Sequence, residues 1–433
     1  MLTTENRLHF YVKVLNLPKT FEDAVEVTQR LGVRYLWIDS LCIIQDDTTD
    51  WAREAAVMYD VYKNAWCNLS ATAARNSNGG LFWNRGRHSL VGQLVVNTSE
   101  KSVSDSRRQA TDSLAANPKA LLLLEDDLVV SGVERSPLQG RAWVLQERFL
   151  SRRVLHFAEN QIFWECNQKC ACEMFPDGIL NGISYDGLRT VMPPGIPWIH
   201  VWTWAVRRYT ERCHTYSSDK LPALSGIAKF FAPKLGGSYL AGIWRYEEFA
   251  RQLAWYVDME PSKLLSRPDY RAPTWSWASV DGAVRFPERR DEYRPMIELI
   301  DAEVTPKGGD PTGAVASGFL LVEGSLGHIP AGSRKSILGA AFVNFDIGPE
   351  PAGDMYLLPL YMDSESEYHG RSRDTAHPTF YTHYLLLIPH ELDSSCFRRC
   401  GYAVPKNSQP YFHSTRVLQI GENLTRQGQF RIL

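Results

Sequence analysis

The chain has 433 residues, 44% of them hydrophobic and 22% charged, with a formal net charge of −2. That mix is globular and excludes a chain kept disordered by low hydrophobicity and high charge, and a near-neutral balance gives no basic footprint for nucleic acid. At roughly 150 residues per domain the length predicts two or three domains.

The longest apolar run, Ala120–Leu124, stops at Glu125, Asp126 and Asp127, well short of the about 20 apolar residues a spanning helix needs. Met1–Phe10 lacks the basic-then-apolar pattern of a signal peptide, so the expectation is a cytoplasmic protein with no membrane contact. The eight cysteines (42, 67, 166, 170, 172, 213, 396 and 400) are then expected as free thiols.

In chain order, Phe21, Ala24, Val25 and Leu31 recur at helical spacing, with Thr20 as the expected cap and Gly32 as the expected stop. Val33–Ile38 (VRYLWI) is a short apolar run expected as an interior strand, with Asp39 at its carboxyl end, where ligands gather in open α/β sheets. A second helix is expected from Asp50, its N-cap, to Ala65. Trp51, Ala55, Met58, Tyr62 and Ala65 fall within roughly 40° of one line, which predicts a buried stripe packed on the sheet. Trp66–Ala73 is expected as the next strand, and helix–strand alternation makes the N-terminal region α/β.

Residues 86–118 are polar and aperiodic, which predicts an insertion or surface loop. Strand-like runs follow at Leu121–Leu124 and Leu128–Val130, then a helix over Leu138–Leu150 and a hairpin from Val154–Phe157 and Gln161–Glu165. Prolines 193, 194 and 197 mark a change of character. Helices are expected over Trp198–Cys213, Asp219–Phe231 and Glu247–Val257. Beyond Pro273, short alternating runs (Thr274–Val280, Phe319–Glu323, Tyr356–Leu360 and Tyr384–Ile388) predict a β-rich region. The expected divisions are 1–170, 171–272 (mainly helical) and 273–433 (β-rich).

Glu54 borders the apolar stripe in the first turn of its helix. A carboxylate beside a Trp-lined face is partly desolvated and suited to acid or base work, although a first-turn Glu also serves the helix macrodipole alone. Asp39, Asp46, Asp47 and Asp50 cluster at the preceding turn, where capping competes with cation binding as their role. Arg141–Arg148 (RAWVLQER) sets Arg141, Gln146 and Glu147 on one helix with Trp143 between them; Arg and Gln suit a phosphate or carboxylate, and intrahelical pairing is the alternative. Cys166, Cys170 and Cys172 form C-x3-C-x-C without a fixed second ligand pair, so no metal is expected. No G-x-G-x-x-G, P-loop or G-x-S-x-G motif occurs.

The segment RYLWIDSLCIIQDDTTDWAREAAVMYDVYKNA (34–65) closely resembles the signature of the fungal heterokaryon incompatibility (HET) domain. LPKTFEDAVEVTQRLGV (17–33) and PLQGRAWVLQERFLSRRVLHF (137–157) are similar to the same family in the same order. SSDKLPALSGIA, YLAGIWR and YRAPTWSWASVDG, within 217–282, resemble the region that commonly follows it. The resemblance implies a role in non-self recognition and regulated cell death, and a remote likeness to TIR domains with their flavodoxin-like α/β sheet. It also implies a TIR-like site with Glu54 as the catalytic carboxylate and Asp39, Asp46, Trp51, Arg141 and Gln146 binding substrate. NAD or a related nucleotide is the implied substrate, and no cofactor is implied. The W-x-x-E spacing of Trp51 and Glu54 is one residue shorter than the usual TIR pattern. The family opens with a strand and L-S-Y-x-W-G, whereas this chain starts at MLTTENRLHF, so the sheet is expected to lack its first strand. The other class the resemblance leaves open is a non-catalytic module that self-associates or docks a protein partner.

Overall fold

A computed structural model describes residues 1–6, 17–85, 93–96, 120–123, 127–179, 195–258, 267–290, 292–339, 341–365, 379–405 and 425–433. Most of the expected insertion at 86–118 lies outside these residues.

Helix α1 spans Lys19–Arg30 and ends where expected, with Gly32 at φ +69°, a left-handed conformation a Cβ would strain. Its start differs from expectation. Pro18 is the N-cap and Thr20 lies inside the helix, where its hydroxyl instead accepts from Gly80 N at 3.0 Å. Asp23 is buried, bonded to Leu81 N at 2.7 Å and to Lys19. It fastens the loop after the first strand onto α1, so its carboxylate is committed to that loop.

Val33–Ile38 carries no ladder, which corrects the interior-strand expectation. Apolar content nominates a strand, but strand geometry persists only where a neighbour satisfies its backbone groups. No strand pairs with this run among the described residues, and Tyr35 is 81% exposed. A one-turn helix α2 (Asp39–Cys42) follows, then α3 (Thr48–Asn64). The N-cap of α3 is Asp47, whose carboxylate accepts from Thr49 N and Asp50 N at 2.9 and 3.1 Å. Asp50 is inside the helix, buried, and accepts from Ile44 N at 2.8 Å and from Arg53. The stripe does face inward: Met58 is buried and Tyr62 packs against the main core. Its neighbours, however, are helices α4 (Ala142–Leu150) and α6 (Pro222–Leu235), not a sheet.

The N-terminal sheet has the order β1 (Asn68–Ser70), β4 (Arg153–Phe157), β5 (Ile162–Cys166), β6 (Cys170–Cys172). β1 and β4 are parallel, and β4–β5 is the expected hairpin. Only three residues of the expected Trp66–Ala73 strand form β1, and Trp66 is half-exposed. β2 (Gln93–Val96) and β3 (Ala120–Leu123) form a separate pair. Leu128–Val130 begins a helical turn that continues through Glu134, not a strand, because Ser131 N and Arg135 N bond back to Asp127 O and Val130 O.

Helix α5 spans Trp198–Thr210, and α7 is only Phe249–Gln252. Short pairs β7 (Tyr239–Leu240) with β8 (Ile243–Trp244) and β9 (Tyr256–Val257) with β10 (Val284–Arg285) lie around them. Thr274–Val280 is not a strand. Its tryptophans 275 and 277 are fully buried and their backbone turns through a short 3-10 segment, so each indole fills a separate part of the core.

The C-terminal sheet comprises β11 (Glu292–Pro295), β12 (Glu298–Pro306), β13 (Val315–Ile329), β14 (Ala341–Phe345), β15 (Met355–Glu365), β16 (Thr379–Pro389), β17 (Cys396–Pro405) and β18 (Thr425–Ile432). Pairing runs β15–β16–β17–β18–β13 and returns from β13 to β15, so five strands close on themselves and shield their edges. The region is β-rich, as expected. One apolar cluster runs without a break from Ala142 on α4 through α5 and α6 to Ile432 on β18. No described helix is long and apolar enough to cross a membrane.

Candidate functional site

Helix α4 begins at Arg141, its N-cap, and is locked there by a second segment. Ala142 N bonds to Cys213 O at 3.0 Å and Cys213 N to Gly140 O at 2.8 Å. The chain at 213–219 is thereby laid along the first turn of α4, and Asp219 accepts from Trp143 Nε1 at 3.3 Å. Trp143 in turn meets Trp51 of α3 edge to face, with ring centroids 6.2 Å apart. Edge-to-face packing suits the aromatic quadrupole, so α3, α4 and this segment share one aromatic wall. A second pair, Trp37 and Tyr62, meets at 5.9 Å, also edge to face.

Glu147 lies one turn further along α4, half-buried. Burial pushes its carboxyl up to about 7, and the negative charge of Asp39 pushes in the same direction; Arg141, a hydrogen bond from Tyr62 and Arg212 oppose the shift without reversing it. Tyr62 responds in kind, its hydroxyl raised well above the ordinary range by burial, then by Glu147 and Asp39. Arg212 is fixed by its bonds to Gln139 O and, at 3.3 Å, to Gln139 Oε1. Asp39 and Arg141 are exposed, so the group has an open side. A carboxyl that exchanges its proton near neutrality, a second carboxylate, a guanidinium and indole walls are the parts of a site that stabilises a developing cation.

The structure therefore gathers Asp39 and Arg141 around Glu147, with Trp51 in the adjoining wall. Glu54 is half-buried and paired with its neighbour Arg53 at 3.3 Å. Asp46 is engaged by the N-terminal segment, accepting from Thr4 N at 2.7 Å and Thr4 Oγ1 at 3.1 Å; those bonds hold its carboxyl low. Gln146 is fully buried and accepts from Gly226 N at 2.6 Å, which ties α4 to α6. Glu147 and Tyr62 were visible in the sequence, the one as a member of RAWVLQER and the other as a member of the α3 stripe. Nothing local marks Arg212 or Asp219, which arrive from more than 60 residues away.

Among the described residues, no group of three His, Cys, Asp or Glu side chains is arranged to hold a metal ion, and the cysteines are free thiols. Thr72, His156 and Glu165 line up as hydroxyl, imidazole and carboxylate at 3.3 and 3.0 Å, but all three are at most 1% exposed and no substrate reaches them.

Residues 2–147 match the family model described as Heterokaryon incompatibility protein (HET). No curated protein and no solved structure matches the chain. The matched segment holds Asp39, Trp51, Tyr62, Arg141 and Trp143, and it ends on Glu147.

Proposed function

We propose that this chain acts in heterokaryon incompatibility by hydrolysing the nicotinamide–ribose bond of NAD or a related nucleotide, with Glu147 as the carboxylate that faces the reacting sugar. The observation that carries this reading is the half-buried Glu147 on α4, hydrogen-bonded by Tyr62 and near Asp39 and Arg141, whose carboxyl burial pushes up to about 7. As the C1′–N bond breaks, neutral nicotinamide departs with the bonding electrons and positive charge develops on C1′. Ionised Glu147 stabilises that charge, a water oxygen bonds to C1′, and the water's proton passes to a carboxylate of the site. Arg141, exposed at the rim, suits the diphosphate. Trp51 and Trp143, set edge to face, offer apolar walls to the nicotinamide ring.

The test is nicotinamide release from NAD by the full chain, followed chromatographically. Glu147→Gln keeps size and polarity but removes the charge, and should lower the rate by about 10²-fold or more. The wild-type rate should rise with pH and level off above about 7 as Glu147 ionises. Loss of activity in Glu54→Gln with Glu147→Gln unaffected would move the role to Glu54. A second reading, a docking or self-associating module, is favoured by Tyr35 and Trp66, which are 81% and 52% exposed on the matched segment. Cell killing by the chain with NAD left intact would select it.

A further inference from the structure

A cavity of ≈ 330 Å³ lies outside the HET-matched segment, between α5, α7 and the strand-free stretch Phe286–Arg289. Its volume falls in the range of small-molecule sites, about 300–1,000 Å³. Ile199, Trp204, Phe286 and Pro287 supply apolar and aromatic wall. The polar lining is dominated by guanidinium groups from three elements: Arg207 on α5, Arg251 on α7, and Arg289.

The guanidinium groups around the cavity are unequally partnered. Glu248 is drawn to Arg289 at 2.9 Å and to Arg251 at 3.5 Å. Arg251 is anchored behind by Asp363 at 3.5 Å and covered by the rings of Tyr293 and Tyr361, with centroids 4.7 and 5.0 Å away. Its Nε and Nη2 are buried and make no hydrogen bond. His200 takes a hydrogen bond from Arg289, and burial first and that arginine second push its imidazole below the usual range. Glu288 also lines the cavity, beside the exposed Arg289. Arg207 is exposed and makes no ion pair with a carboxylate among the described residues.

We infer that this cavity binds a small aromatic monocarboxylate, its ring against Trp204 and Phe286 and its carboxylate on Arg207 beside Arg251 and Arg289. The indole and phenyl walls select a flat apolar body. The exposed Arg207 guanidinium, beside the buried Nη2 of Arg251 that makes no hydrogen bond, selects an anionic head group. Planar guanidinium groups match a carboxylate through paired N–H bonds.

The experiment is calorimetric titration of the full chain with three probes of one shape: 1-naphthoate, neutral 1-naphthol and 1-naphthyl phosphate. The expected result is one naphthoate per chain, with 1-naphthol weaker by roughly tenfold or more, the worth of a charge-assisted bond. Arg207→Met, at an exposed position that leaves folding intact, should weaken naphthoate to a similar degree, while Glu248→Gln should tighten it. Absence of naphthoate binding, equal binding of naphthol, or an unchanged affinity in Arg207→Met overturns the site. Tighter binding of the phosphate than of naphthoate overturns the choice of a carboxylate.

Discussion

Replacing Glu147 by Gln should stabilise the protein at pH 8 and leave it nearly unchanged at pH 4. The reasoning rests on where the proton sits. Unfolded, a glutamate releases its proton near 4.5, whereas in the fold burial and Asp39 hold it to about 7. Between those values the folded state binds more protons than the unfolded one, so stability falls as pH rises through the window and the full cost is present above about 7. The gap sets an upper bound of ~3 kcal/mol. Residual solvent contact at this half-buried side chain screens part of it, which leaves about 1–2 kcal/mol. Glutamine keeps the volume and can still accept from Tyr62 but never ionises. The assay is urea denaturation of wild type and Glu147→Gln at pH 4, 6 and 8, comparing midpoints at constant slope. The variant's advantage should grow with each step of pH. A difference that is flat with pH, or that shrinks toward pH 8, would show that Glu147 ionises as an ordinary glutamate and remove the basis for its assignment.

Three further outcomes follow from the same structure. Gly226→Ala places a Cβ 2.7 Å from Gln146 Oε1 and 2.9 Å from Leu150 Cδ1, so it should cost about 1–3 kcal/mol by overpacking, read as a lowered thermal midpoint. Arg148→Met leaves Glu134 and Glu165 buried without the guanidinium that binds them at 2.8 and 2.7 Å, and should cost about 3–5 kcal/mol, measured by chemical denaturation. Lys220 is fully enclosed and pushed down to about 7 by burial, with Arg271 next; its unfolded form holds the proton more tightly, so stability rises between about 7 and 10.5 and the charging cost is complete below 7. Lys220→Met should therefore raise the thermal midpoint at pH 6, with the gain fading by pH 10, since Arg271 still donates to Val280 O at 2.6 Å.

Local pattern made several elements legible. The 3.6-residue stripe of α3, the glycine stop of α1, the β4–β5 hairpin and the alternating runs inside β13, β15 and β16 each follow from residues adjacent in the chain. Where the sequence misled, the deciding partner lay elsewhere. Val33–Ile38 has the composition of a strand, yet composition supplies no neighbour to complete its hydrogen bonds. Thr274–Val280 alternates like a strand, yet Trp255 donates to Trp275 O at 2.9 Å and Trp277 to Gly242 O at 2.8 Å, and those bonds fix a turn. Asp47 and Asp50 are equally good caps by type; only the backbone angle at Asp47 settles which one serves.

A helical wheel places Glu54 beside the apolar face of α3, but it cannot say which elements cross that face. Residues 147 and 148 on α4 show how much that matters. Arg148 is almost wholly buried, and its guanidinium bonds Glu165 directly; although burial alone would raise that carboxyl, Arg148 overrides it and holds it far below the usual range. Glu147, the next residue, turns toward α3, where it meets a hydroxyl at Tyr62, a like charge at Asp39, and cations that only partly offset burial. Adjacent positions on one helix thus organise one carboxylate that is permanently ionised and structural and another that exchanges its proton near neutrality. Only the second changes its charge as pH crosses neutrality. Its setting depends on α3 in front and on the chain from Arg212 to Asp219 alongside, so the HET-matched segment completes this site only when the following helices are packed against it.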